Sequence, residues 1–133
     1  MNGHHPPGCI LIVEEDFQFA SSLQKILCKA GYGTFLADTG VEILGLLSTR
    51  SFDLVITDCR KGSLYAAEVI SCIRRQAIPA RILLFTALGD EELAANLQKT
   101  GVDVDGCIRK PAKRDEILKC VARLLSHQLS KAL

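Results

Sequence analysis

The sequence predicts an α/β domain, a single doubly wound sheet of parallel strands with helices on both faces. Three observations carry that expectation. Short apolar runs alternate with longer amphipathic stretches five times over, the runs are rich in Val, Ile and Leu with little polar alternation, and no long linker interrupts the series. Strands covered on both faces read this way, and a helix between each pair of them makes the sheet parallel.

The first run, "CILIVE" (Cys9 to Glu14), is continuously apolar up to its last residue. "DFQFASSLQKILCKAG" follows, with Phe17, Ala20, Leu23, Ile26, Leu27 and Ala30 near helical spacing and Gly31 as the stop. "GTFLAD" (Gly33 to Asp38) leads into "TGVEILGLLSTR", where Val41, Ile43, Leu44, Leu46 and Leu47 are expected to form the apolar side of a second helix. "FDLVITD" (Phe52 to Asp58) is followed after a loop by "LYAAEVISCIRR". "RILLFT" (Arg81 to Thr86) precedes "DEELAANLQKTG", in which Asp90 is expected to cap the helix while Glu91 and Glu92 suit its positive end. "GCIRK" (Gly106 to Lys110) meets Pro111 and passes into "DEILKCVARLLSHQL", whose Ile117, Leu118, Val121, Leu124, Leu125 and Leu129 form one stripe.

A chain of 133 residues with 48% hydrophobic content supports one core. Residues 9–127 are expected to be the domain, residues 1–8 a flexible tail, and residues 128–133 a helix extension or the start of a linker. His4 and His5 fall in the tail, and two adjacent histidines with no other ligand nearby make a poor metal site. Sixteen basic against fifteen acidic residues leave a net charge of +1, which excludes a bulk field drawing the protein to nucleic acid or acidic lipid. No apolar run reaches the about eighteen residues of a membrane span, and "MNGHHPPG" lacks the pattern of a secretory signal, so a cytoplasmic location is expected. The six cysteines include no C-x-x-C pair and are read as reduced, buried thiols.

In a sheet of this kind chemistry collects at the carboxyl ends of the strands. Those ends read Glu14, Glu15 and Asp16, then Asp38, Asp58, Thr86 and Lys110. If the first and third strands are neighbours, Glu15 and Asp58 approach closely, and a hard oxygen-seeking cation such as Mg2+ would relieve their repulsion. Lys110 can neutralise a further anion. Asp16 is assigned to capping the first helix, and Asp38 to capping the second.

These pieces resemble the response-regulator receiver domain of two-component signalling, over roughly Cys9 to Leu125. The matching elements are the acidic pair in "LIVEED", "DLVITD" ending in Asp58, "LLFTA" with Thr86 and Ala87, and "CIRKP" with Lys110 and Pro111. The resemblance implies a flavodoxin-like, CheY-like (βα)5 fold with strand order 2-1-3-4-5. It further implies that Asp58 accepts a phosphoryl group from the phosphohistidine of a sensor histidine kinase or phosphotransfer protein. Mg2+ would be held by Glu14 and Glu15, Glu15 more directly, together with the Asp58 carboxylate and the backbone carbonyl of Arg60. Lys110, the Thr86 hydroxyl and the Ala87 amide would bind the phosphoryl oxygens. Output would pass through the face of the fourth helix, fifth strand and fifth helix to an effector protein or fused output domain, with a homodimer through that face as a further expectation. Direct nucleic-acid and membrane partners are not expected, nor is enzymatic activity beyond self-catalysed phosphotransfer and dephosphorylation.

The chain departs from the family pattern at several positions. The acidic pair is Glu14-Glu15, where Asp-Asp or Glu-Asp is usual. "DCRKGSLY" places Arg60 and Lys61 after the acceptor and lacks the usual proline, and Cys107 replaces an aromatic three places before Lys110. "TGVDVDGCIRK" is about two residues longer than usual. These departures motivate an alternative, a degenerate receiver that acts as a phosphorylation-independent interaction module.

Overall fold

The computed structural model describes residues 8–38, 40–59, 65–101 and 103–132. The expectations placed on residues 1–7, Arg60, Lys61, Leu133 and the side chains of Cys59 and Leu129 lie outside the described residues. Five apolar runs become the strands β1 (Cys9–Val13), β2 (Gly33–Ala37), β3 (Leu54–Cys59), β4 (Arg81–Thr86) and β5 (Gly106–Arg109). The helices α1 (Phe17–Lys29), α2 (Gly40–Thr49), α3 (Tyr65–Arg75), α4 (Asp90–Thr100) and α5 (Arg114–Ala132) alternate with them. All pairings are parallel and the order is β2-β1-β3-β4-β5, as expected.

Alternation along each strand builds two cores, because successive side chains leave the sheet on opposite faces. Ile10, Ile12, Leu54, Ile56, Leu83, Phe85 and Ile108 pack with residues of α1 and α5. Leu11, Val13, Val55, Ile82 and Leu84 pack with residues of α2 and α3. The chain reverses its direction of travel across the sheet at β1, which pairs with both β2 and β3, so the carboxyl ends of β1 and β3 lie side by side at the switch point.

Asp16 caps α1 as predicted, its Oδ1 accepting from the Phe19 backbone N–H at 3.2 Å. Gly31 ends that helix with φ 97°, a conformation open to glycine. Other local expectations are corrected. Phe17 is 71% exposed, and the inward stripe of α1 is Ala20, Leu23 and Leu27, with Phe19 and Ile26 packed beside it. Among the described side chains of α2, Ile43 and Leu47 are buried and Leu46 is half-buried against the core, whereas Val41 and Leu44 face outward, because a ten-residue helix at the sheet margin offers one narrow stripe to the core. Gly89, and not Asp90, is the N-cap of α4; it makes no side-chain cap bond, and Asp90 instead pairs with Arg109 of β5. The thiols among the described residues are free, but Cys28 and Cys107 are exposed and Cys9, Cys72 and Cys120 only half-buried.

The segment after α4 has a structural use. Gly101 closes the helix in the left-handed region at φ 69°, its N–H donating to the Leu97 carbonyl. Asp105 then places Oδ2 2.8 Å from the Ile82 backbone nitrogen, and its carboxylate pairs with Arg81 and Arg74, each at 3.2 Å. Burial alone would raise the Asp105 carboxyl, but the Ile82 N–H and the two guanidiniums outweigh it and hold the group below its ordinary range. This carboxylate fixes the start of β5 against β4, four residues before Lys110.

Candidate functional site at the carboxyl edge of the sheet

The site is assembled from strand ends. Glu14 follows β1 directly; its side chain is only 3% exposed, and Oε1 accepts from the Asp16 backbone N–H at 3.3 Å. Asp58 lies within β3, in register with Phe85 of β4, and its side chain is 10% exposed. Lys110 follows β5 and is anchored by its backbone N–H, which donates to the Thr86 carbonyl at 2.7 Å. Its ammonium Nζ stands 3.4 Å from Asp58 Oδ1 and 3.9 Å from Glu14 Oε1. One cation thus spans two sheltered acids from neighbouring strands, where partial burial makes their attraction stronger than at an open surface.

Ala87, Leu88, Asp16 and Glu92 complete the cleft around Glu14, Asp58 and Lys110. Thr86 is buried behind this lining, and its hydroxyl accepts from the Leu88 backbone N–H at 2.9 Å, shaping the turn beyond β4. Glu15 is exposed and lines an adjoining cleft with Asp38, Glu42 and Phe17, with Glu14 as the shared wall. There the Asp38 backbone N–H donates to Glu42 Oε1 at 3.4 Å. Hydrogen bonding to Glu42, reinforced by the charge of Glu42 and that of Glu15, pushes the Asp38 carboxyl above its ordinary range. The structure therefore brings Glu14, Asp58, Lys110 and Ala87 together, keeps Thr86 just behind them, and turns Glu15 toward Asp38. The Arg60 carbonyl lies outside the described residues.

Among the described residues, no three His, Cys, Asp or Glu side chains form a metal centre by themselves. The donors of the cleft, Glu14 and Asp58 with Asp16 nearby, are all carboxylate oxygens. That chemistry fits a hard cation held by one or two carboxylates and its own waters, and it offers no soft ligand.

Phe19 has a place in this site that the sequence did not disclose. Lys110 Nζ lies 4.1 Å from the centre of the Phe19 ring. The available signal was an aromatic three residues after a helix cap, which is equally ordinary for a core position.

A five-stranded doubly wound parallel sheet in the order β2-β1-β3-β4-β5, with an acid–lysine cleft at its switch point, defines a class, the CheY-like flavodoxin fold. The response regulator receiver domain model matches residues 10–122, and the chain belongs to that family, the receiver domains of two-component signalling. Such domains are signalling modules rather than enzymes in the ordinary sense. Among curated relatives, the transcriptional regulatory protein FixJ of Bradyrhizobium diazoefficiens is 33% identical over 110 residues, covering 83% of this chain and 53% of FixJ. The transcriptional regulatory protein ZraR of Escherichia coli K12 is 32% identical over 120 residues, covering 89% of this chain and 26% of ZraR. The chain thus spans about half or less of the length of these relatives. Full-length FixJ from B. japonicum superposes with a TM-score of 0.79 at 28% identity, covering 94% of this chain and 61% of that one. The signal receiver domain of an HD domain-containing protein from Pseudomonas fluorescens Pf-5 has the same fold, with a TM-score of 0.82 at 24% identity over 99% and 96% of the two chains. No helix among the described residues is long and apolar enough to cross a membrane.

Proposed function

We propose that this receiver takes a phosphoryl group on Asp58 from the phosphohistidine of a sensor histidine kinase or phosphotransfer protein. The observation that carries the reading is the Lys110 ammonium 3.4 Å from Asp58 Oδ1 and 3.9 Å from Glu14 Oε1, at the carboxyl edge of the sheet. In the transfer, an Asp58 carboxylate oxygen forms the P–O bond as the P–N bond to the donor imidazole breaks, and the imidazole leaves with its electron pair and takes a proton. Phosphoryl transfer depends on in-line positioning and on neutralising the transferred oxygens. Lys110 supplies one positive charge for that purpose. The Thr86 hydroxyl, now engaged by the Leu88 N–H, and the Ala87 amide at the cleft wall are the donors available to a phosphoryl oxygen.

Mg2+, when bound, would neutralise charge between Asp58 and the donor phosphoryl group. Glu14 and Asp58 are its cleft-facing carboxylates, with Glu15 and the Arg60 carbonyl as the other ligands the family pattern names. The new dianion on Asp58 would draw on Thr86 and repack the face of α4, β5 and α5, through which an effector protein, an output domain or a second copy would be engaged.

Intact mass spectrometry after incubation with Mg2+ and acetyl phosphate tests the reading. A gain of one phosphoryl group, abolished in Asp58→Asn and by chelation of Mg2+, is the expected result. No gain with acetyl phosphate, with phosphoramidate or with a phosphorylated histidine kinase would overturn it.

A further inference from the structure

We infer that Phe19 is a positioning residue of the cleft, whose ring face holds the Lys110 ammonium against Asp58. The functional consequence rests on the phosphoacceptor reading above; the geometry does not. The ammonium lies 4.1 Å from the ring centre, well inside the about 6 Å over which a cation is attracted to an aromatic face. The same nitrogen is 3.4 Å from Asp58 and 3.9 Å from Glu14, so it is in reach of ring, acceptor carboxylate and buried acid together.

The ring is itself fixed. It meets Phe85 edge-on, with centroids 5.5 Å apart and planes at 71°, and Phe85 is buried in register with Asp58. Its backbone N–H is the one that Asp16 caps, so the third acid of "LIVEED" locks the first turn of α1 and with it the ring under Lys110. A lysine head on a flexible four-carbon stem loses much conformational freedom when ordered. A pre-placed aromatic face lowers that cost in the geometry the transfer needs, whereas a leucine at the same position would fill space without attracting the charge.

The test uses two independent readouts. The ε-methylene protons of Lys110 are followed by NMR in the wild-type protein, Phe19→Leu and Phe19→Tyr. A ring-current shift upfield is expected in wild type and Phe19→Tyr, and its loss in Phe19→Leu. Random-coil shifts in wild type overturn the proposal, and because that measurement needs no variant, a poorly folded Phe19→Leu leaves the proposal testable. The second readout is the rate of phosphoryl gain from acetyl phosphate with saturating Mg2+. Phe19→Leu should slow it by about three- to tenfold and Phe19→Tyr should restore it. In a Lys110→Met background Phe19→Leu should have no further effect. An equal loss in both backgrounds would show Phe19 to act through packing alone and overturn the proposal. Failure of wild type to take any phosphoryl group would instead refute the proposed function, with the ring-current arm still deciding the role of Phe19.

Discussion

Replacing Asp105 by alanine removes the acid that joins β5 to β4, and the structure sets the size of the effect. The Ile82 backbone N–H, in a fully buried strand residue, loses its acceptor at 2.8 Å. Leaving such a donor unsatisfied costs about 1–3 kcal/mol. The ion pair with Arg81, whose side chain is 14% exposed, and the more open one with Arg74, at 41%, are lost as well. Discounted for solvent screening, they bring the whole to about 2–4 kcal/mol at neutral pH. The sign of the pH dependence follows from the lowered Asp105 carboxyl. Its contribution is fully present above the unfolded-state pKa of about 3.9, and it fades as the pH falls through the lower folded-state value. Urea unfolding at pH 7 and near pH 3 measures both. The gap between wild type and Asp105→Ala should narrow in acid, with an unchanged m-value, and Asp105→Asn, which keeps an acceptor for Ile82, should fall between them. A gap below about 0.5 kcal/mol at pH 7, or one that is equal at both pH values, would refute the reasoning. Because Lys110 follows β5, the alanine variant should also slow phosphoryl gain on Asp58.

Three further outcomes are expected. The Thr57 hydroxyl is buried without a hydrogen-bond partner among the described residues, so Thr57→Val should raise stability by about 1 kcal/mol in thermal unfolding, and a loss of stability would contradict that account. Gly101→Ala forces a side chain into the left-handed region and should cost about 1–2 kcal/mol, with Gly101→Asn costing less; equal stability of all three proteins would count against the strain. Glu42→Gln should bring the Asp38 titration, followed by carboxyl NMR, back toward its ordinary range. A carboxyl raised in the folded state withdraws stability as the pH climbs through its unfolded and then its folded pKa, so the variant should also lose that decline, and an unmoved Asp38 titration would rule out Glu42 as the cause.

The strand ends were legible in the sequence because β1, β3 and β4 are covered on both faces, which makes each an unbroken apolar run with a conspicuous polar terminus. Asp16 was legible for a local reason, since a cap acts within three residues of itself. Phe17 was placed in the apolar stripe of the first helix and Phe19 was passed over, because both suit an amphipathic helix until the position of Lys110, some ninety residues away, decides which one has a partner. The use of Asp105 is likewise invisible locally, as its acceptor role depends on Ile82 and Arg81 lying across the strand pair. Asp90 was misplaced by one position: acids suit the whole first turn of a helix, and the pull of Arg109 from β5 is a tertiary term that propensity does not contain.

Arg109 and Lys110 are consecutive, yet they turn to opposite sides of the sheet. One engages Asp90 at the head of α4 on the solvent side, the other Asp58 and Glu14 in the cleft. A single peptide unit therefore separates a side chain of the cleft from one paired with the head of α4. The two contacts differ in their sensitivity to the medium. The Arg109–Asp90 pair is open to water and should weaken with added salt, while the Lys110 pairs are partly sheltered from counterions. Added salt should therefore loosen the contact at the head of α4 before it loosens those of Lys110 in the cleft.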